Sequence, residues 1–485
     1  MTPTLILVII SLYFLLLIAI SWFTGRKSDN QSFFLANKSA PWYVVAFGMI
    51  GSSLSGVTFV SIPGTVASQS FSYMQLVLGY LLGYFVIIKV LLPLYYKMNL
   101  TSIYAYLKQR FGFYSHRTGA AFFLLSRTIG SSFRLYLVAM VLDTFVFAAW
   151  GVPFWVTVVV TIVLIWLYTF RSGIKTILWT DTLQTAFLVG SVIISIAIIG
   201  EDLNLSLATM AETLNASPMT QVFFWDWQGS QNFFKMFFSG AFITIVMTGL
   251  DQDMMQKNLS CRSLADAQKN MMWFSIVLVF VNLLFLCLGA LLYIYADTKG
   301  IALPAKSDEL FPMLALQHFA PIAGFTFIIG LIAAAYSSAD SALTALTTSF
   351  CVDFLGFDEQ KGDVKTRMRV HIGMSLVLGL QILLFHSLHN DSLITQLFKV
   401  AGYTYGPLLG LFAFGLFTNY VVKDKWVPLI AILSPVICYI LQLNSEAWLW
   451  GYKFGFELLI LNGAITFLGL RLLAVRGKFV TKALL

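Results

Sequence analysis

The stretch GSSLSGVTFVSIPG, residues 51–64, cannot read as an ordinary membrane-spanning helix. It lies inside an apolar run from 42 to 69, yet Gly51, Gly56, Pro63 and Gly64 all weaken helical propagation, glycine through its backbone freedom and proline through its missing N–H. A helix interrupted here would turn free carbonyls towards a cation. Ser53, Ser55, Thr58 and Ser61 would offer hydroxyls to a small polar solute. Broken backbone at membrane depth is tolerated only where it faces protein or a water-filled cavity, so the segment points to a transport pathway rather than an anchor.

The rest of the chain supplies the membrane setting. Of 485 residues, 59% are hydrophobic and 11% charged, a balance no soluble core of this length requires. Apolar runs of about 20 residues suffice, at 1.5 Å rise, to cross roughly 30 Å of hydrocarbon. Thirteen are predicted: 4–23, 42–69, 71–96, 118–148, 152–170, 176–200, 231–250, 271–296, 320–350, 370–386, 393–418, 426–442 and 455–470. This is an all-α polytopic membrane protein in one transporter domain, 1–485, with no stretch left for a soluble domain. Of the longer connections, 201–230, 251–270 and 297–319, two are amphipathic enough to hold surface helices rather than domains.

No basic residue precedes the first run and Arg26 and Lys27 follow it, so it reads as a retained helix that enters from outside, not a cleaved signal. Counted from that start, 22 of the 30 Lys and Arg fall in inside segments, 3 in outside segments and 5 in spans, and the C-terminus ends inside. A multi-pass protein of the inner, plasma membrane is expected. The net charge of +8 follows from this loop bias and does not form the clustered basic face that nucleic acid would need. The four cysteines show neither CxxC spacing nor a nearby histidine, which excludes a zinc motif.

Ionisable groups inside the bilayer are costly and so mark function. Arg127, Arg134, Asp143, Asp181 and Asp340 are the deep ones. In LIAAAYSSADSALTALTTSF, residues 331–350, Ser337, Ser338, Ser341 and Thr344 crowd hydroxyls onto about two helical turns. They either ligate a sodium ion, which wants several hard oxygens, or bond back to carbonyls one turn earlier. Tyr73, Gln75 and Phe242 are candidates for the wall of a solute pocket near the broken helix. Gln75 is chosen because an amide in so apolar a helix needs a partner. Arg134 either receives a solute carboxylate or pairs with Asp181 or Asp340.

These two segments, with the WTD at Trp179–Asp181, DQDMMQKNLS at 251–260 and GPLLGLF at 406–412, resemble the sodium/solute symporter family over essentially the whole chain. The resemblance implies a LeuT-like core of two inverted five-helix repeats, 42–200 and 231–418, with an extra helix at 4–23 before it and helices at 426–470 after it. It implies a principal sodium site on the carbonyls of Gly51, Leu54 and Ala334 and the hydroxyls of Ser337 and Ser338. A second sodium, bound in some members by an aspartate and hydroxyls, would fall at Asp181 and Ser341, with Asp340 standing where a hydroxyl is usual. On the solute side Val77 replaces a polar residue of the sugar and sialate carriers and Ser53 an asparagine of the sugar carriers. The carboxylate-binding arginine of the sialate carriers aligns with Gly130, one turn from Arg134.

The expected activity is therefore sodium-coupled import of a small polar organic solute, most simply an anion such as a sugar acid, a sialic acid or a monocarboxylate. A neutral sugar or polyol, or a proton-coupled carrier using Asp181 and Asp340, is the alternative. Sodium, the solute and the lipid bilayer are the expected partners, without nucleic acid or an obligate protein partner. An enzyme is disfavoured: the histidines at 116, 318, 371, 386 and 389 sit at span ends or in loops, and no HExxH occurs. A sensor would need an attached signalling domain, for which the tail after Leu470 leaves no room.

Overall fold

In the computed structural model, which describes residues 3–24, 30–169, 173–357, 363–387 and 393–478, helices make up most of the chain. In order they are α1 (Pro3–Thr24), α2 (Asn30–Leu35), α3 (Trp42–Gln69), α4 (Tyr73–Val86), α5 (Leu92–Lys97), α6 (Ala105–Arg110), α7 (Phe113–Phe145), α8 (Phe154–Thr169) and α9 (Ile174–Asp202). Then come α10 (Leu207–Ala216), α11 (Phe233–Thr244), α12 (Gln252–Leu259), α13 (Leu264–Thr298), α14 (Leu310–Met313), α15 (Pro321–Ser349), α16 (Val364–His386), α17 (Leu393–Phe417), α18 (Val427–Trp448) and α19 (Leu458–Leu472). Arg26, Lys27 and His389 lie outside the described residues.

Among the described residues eight helical stretches are long and apolar enough to cross a membrane, or nine when α11 and α12, bent by 64°, count as one. The longest stretch, Trp42–Lys97, holds both α3 and α4–α5, while α8 and α19 are shorter apolar helices. The charged α7 runs for 33 residues. The connection at 201–230 carries the short helix α10, as a surface segment should, but 251–270 does not behave as a connection. Its first half folds inward as α12, all eight residues of which are buried, because Asp251 caps the new helix start by accepting from the backbone N–H of Asp253 and Met254.

Apolar side chains cover much of the outside, while a set of polar and charged groups is buried within a largely apolar core. Along α18, Leu429, Ile432, Leu433, Val436, Ile437, Ile440 and Leu443 are exposed, with Trp426 and Trp448 at its two ends, an arrangement that suits lipid and aromatic belts rather than water. Asp181, Lys257, Ser337 and Asp340 are by contrast fully buried. Helix α15 forms the centre, packed on α9, α3 and α7, while α13 backs α3 and α11 lies along α4.

GPLLGLF is a packing motif. A Cβ at Gly406 would stand 2.2 Å from the Asn462 side chain and one at Gly410 2.5 Å from Thr466, so only glycine lets α17 and α19 approach this closely. One departure from the all-α expectation is a small sheet, β1 (Tyr420–Val422) antiparallel to β2 (Ala474–Lys478), which ties the end of α17 to the end of α19. The β-branched residues Val421, Val422 and Val475 sit where the helices have ended and pair instead as strands.

Candidate functional site

Within α3 the helix is interrupted at Ser55, whose φ of 50° and ψ of 167° leave the helical region. Such a conformation is costly for a residue other than glycine and persists only where the surroundings fix it. Here the surroundings are α15 and α9. Ser338 Oγ donates to the Ser52 carbonyl at 3.1 Å, Ser337 Oγ lies 3.1 Å from Ser52 Oγ, and Thr185 Oγ1 accepts from the Gly51 N–H at 3.0 Å. The hydroxyls at 337, 338 and 341 thus face across to the neighbouring helices, whereas Thr347 and Thr348 bond back to carbonyls one turn earlier. Back-bonding is thus seen further along the run than the four hydroxyls Ser337, Ser338, Ser341 and Thr344 for which it is the alternative.

Gly51, Ser337 and Ser338, expected around a sodium ion, are brought together, and Leu54 and Ala334 are buried on the same two segments. A Cβ at Gly51 would stand 2.4 Å from Thr185 Oγ1 and 3.4 Å from Ser337 Oγ. Gly51→Ala is therefore expected to push α3 off this crossing and weaken sodium binding at least tenfold. A sodium titration of thermal stability measures it, with Gly190→Ala, which meets nothing within 4 Å, as the control.

Asp181 is the hub beside this crossing. Its Oδ1 accepts from Ser337 Oγ at 2.7 Å, and its Oδ2 from Ser52 Oγ at 2.9 Å and Ser341 Oγ at 3.5 Å. Lys257 from α12 completes it, with Nζ 2.6 Å from Asp181 Oδ2 and a further hydrogen bond to Ser52 Oγ. Asp340 is engaged elsewhere, accepting from Tyr168 OH at 2.9 Å and from the Ser341 N–H. The three residues expected around a second sodium are adjacent, but Asp181 already has its cation.

Beside the break lies a small cavity of about 70 Å³. Ser53, Ser55, Thr58, Tyr73 and Arg134 line it as expected, joined by Tyr80, Tyr84, Thr244, Thr248 and Asn282. Tyr73 and Tyr80 share a hydrogen bond of 3.1 Å between their hydroxyls. Two guanidiniums reach the cavity, and they differ in kind. Arg127 is buried and bound to Asp253, with Asp251 at 3.8 Å. Arg134 makes no ion pair with Asp181, Asp340 or any other carboxylate among the described residues, and its buried Nε has no hydrogen-bond partner. Gly130, Arg134 and Arg127 also border a smaller void beside Tyr405, so the guanidinium at 134 reaches the space next to the position where the sialate carriers' arginine aligns.

Two expected pocket residues are elsewhere. Gln75 is fully buried but serves the connection before α11, donating to the carbonyls of Ser72 and Gln231 and accepting from the Phe224 N–H. The partner that its amide needed is backbone. Phe242 packs against the core while its neighbours Ile243 and Thr244 face the cavity, a difference of one position in helical phase. Lys257, Arg127 with Asp253, and Thr185 were missed. The signal lay in DQDMMQKNLS itself, since a loop has no need to place Gln252, Asp253, Gln256 and Lys257 within six residues. Gln252 in fact bonds the 101–103 turn and Gln256 the Phe34 carbonyl and Thr348.

The model of the family described as "Sodium:solute symporter family" matches residues 33–424. The Sodium/sialic acid symporter NanT of Aliivibrio fischeri is 23% identical over 416 residues, which are 82% of this chain and 80% of that protein. The Sodium-coupled monocarboxylate transporter 1 of Mus musculus is 24% identical over 408 residues, 81% of this chain and 65% of that longer protein. Among solved structures, the substrate-bound outward-open state of a Na+-coupled sialic acid symporter superposes with a TM-score of 0.80 at 20% identity, covering 97% of this chain and 99% of that one. Mhp1, a nucleobase-cation-symport-1 family transporter, superposes at 0.56 and 12% identity over 90% of this chain and 92% of its own. The fold is that of LeuT-like carriers.

Proposed function

The chain belongs to the sodium:solute symporter family, and from that premise we infer that it is a sodium-coupled symporter importing a small organic anion across the plasma membrane. The observation that carries the anion is Arg134. A guanidinium that is only 6% exposed and has no carboxylate partner among the described residues is costly in a protein core, and a solute carboxylate received as a bidentate pair would remove that cost. The hydroxyls around it suit the remaining polar groups of a sialic acid or short monocarboxylate, the solutes that the related carriers are named for.

Sodium in this reading sits between α3 and α15, held by the carbonyls of Gly51, Leu54 and Ala334 and the hydroxyls of Ser337 and Ser338. Its charge fastens the broken half of α3 against α15 next to Ser53 and Ser55, which face the solute. Occupancy of one site therefore favours the other, and the effect is reciprocal. Two interrupted helices, α3 and α11–α12, each open a set of five, which supports inverted repeats over 42–200 and 231–418. With α1 before and α18 and α19 after, thirteen crossings follow, the N-terminus outside and the C-terminus inside.

The test is thermal stabilisation of the purified chain by a panel of sialic acids, monocarboxylates, sugars and polyols, with sodium or potassium as the only cation. Stabilisation by an anion in sodium alone is expected. Equal shifts in potassium would remove sodium coupling and favour proton coupling, and stabilisation by neutral sugars alone would remove the role given to Arg134.

A further inference from the structure

The cation position beside Asp181 is filled by the protein itself. We propose that the Lys257 ammonium takes the place of a second transported sodium, so that this chain moves its anion with the single sodium held between α3 and α15. The proposal rests on the symport reading above and adds its stoichiometry.

Asp181 on α9 gathers hydroxyls from two neighbouring helices, Ser52 Oγ of α3 and Ser341 Oγ of α15 at its Oδ2 and Ser337 Oγ of α15 at its Oδ1. That is the hard, oxygen-rich setting that a small cation seeks. Lys257 Nζ enters it from α12, 2.6 Å from the carboxylate and bonded to Ser52, on a side chain with no solvent exposure. A sodium ion on the same carboxylate oxygen would stand beside a like charge with nothing to screen it. Asp340 offers no second seat, because one of its oxygens accepts from Tyr168 and the other from the Ser341 N–H. The ammonium is covalently tethered and returns with α12 on every cycle, so it takes no energy from the sodium gradient. One sodium with one monoanion carries no net charge, and transport becomes indifferent to membrane potential.

The experiment counts sodium ions bound per purified full-length chain with radioactive sodium at saturation, in the wild type and in Lys257→Ala. One ion is expected in the wild type and two in the variant, with the Hill coefficient of the sodium titration rising from one towards two. Two ions in the wild type, or one in a folded Lys257→Ala, overturns the proposal while the symport reading stands. A wild type that binds none overturns both. Should Lys257→Ala fail to fold, the paired variant Asp181→Asn/Lys257→Met, which leaves no bare buried charge, decides: an unchanged count of one supports the proposal, and loss of that ion shows Asp181 to be a sodium ligand and overturns it.

Discussion

Replacing Arg134 with alanine is expected to weaken anion binding roughly hundredfold or more while sodium still binds. Loss of one partner from a desolvated, charge-assisted pair costs about 2–5 kcal/mol, and a bidentate contact lies towards the upper end. The stability of the empty chain should not fall in proportion, because Arg134 has no ion-pair partner to leave behind among the described residues. Arg134→Lys keeps the charge but not the planar fork, and should recover only part of the affinity. Arg127→Ala should behave differently, since it strips Asp253 of its buried partner at the foot of the broken helix and destabilises the fold itself. The check is anion-dependent thermal shift and uptake for the three variants side by side. An Arg134→Ala chain with unchanged anion affinity would show that the cavity recognises its solute without that guanidinium.

The second large effect is expected at Ser338. Its hydroxyl is one of two assigned to the proposed sodium position and, among the described residues, the only one that bridges α15 to the carbonyl of Ser52. Ser338→Ala removes both interactions, and with a bond to a charged group worth about 1.5–3 kcal/mol the sodium concentration for half-saturation should rise at least tenfold. At fixed sodium the apparent anion affinity falls in step through linkage, and high sodium restores it. Sodium titration of anion binding measures this. An affinity loss that sodium cannot restore would mean that Ser338 contacts the solute instead of the ion.

The seam of the site was legible because it contradicts its surroundings. Gly51, Gly56 and Pro63 spoil a helix that hydrophobicity demands, and Ser337, Ser338 and Ser341 load oxygen onto another that should be apolar. Both features persist in one dimension, and the structure puts the two segments against each other at Ser52. Lys257 was hidden for a physical reason. Alternating apolar runs assign 251–270 to a cytoplasmic connection, yet the capped break at Asp251 folds α12 back among α3, α9 and α15. A hydropathy scan sees a charged segment and cannot see that its charges are answered inside. The partner of Arg127 is hidden likewise, because Asp253 arrives with the same half-helix. Phase set the limit at Phe242 and Gln75. Which face of α4 or α11 meets the cavity depends on rotations of a few tens of degrees, and these are fixed by packing against Gly79 and Gly240 rather than by local sequence.

The claim that sodium and an organic anion cross together is tested most directly in proteoliposomes. Uptake of the labelled anion that stabilises the chain would be followed with sodium or potassium outside and no sodium within. An inward sodium gradient is predicted to drive accumulation above equilibrium, lost when an ionophore collapses that gradient and absent in Ser338→Ala at low sodium. Equal accumulation with potassium outside, or accumulation that follows a proton gradient instead, would contradict the account.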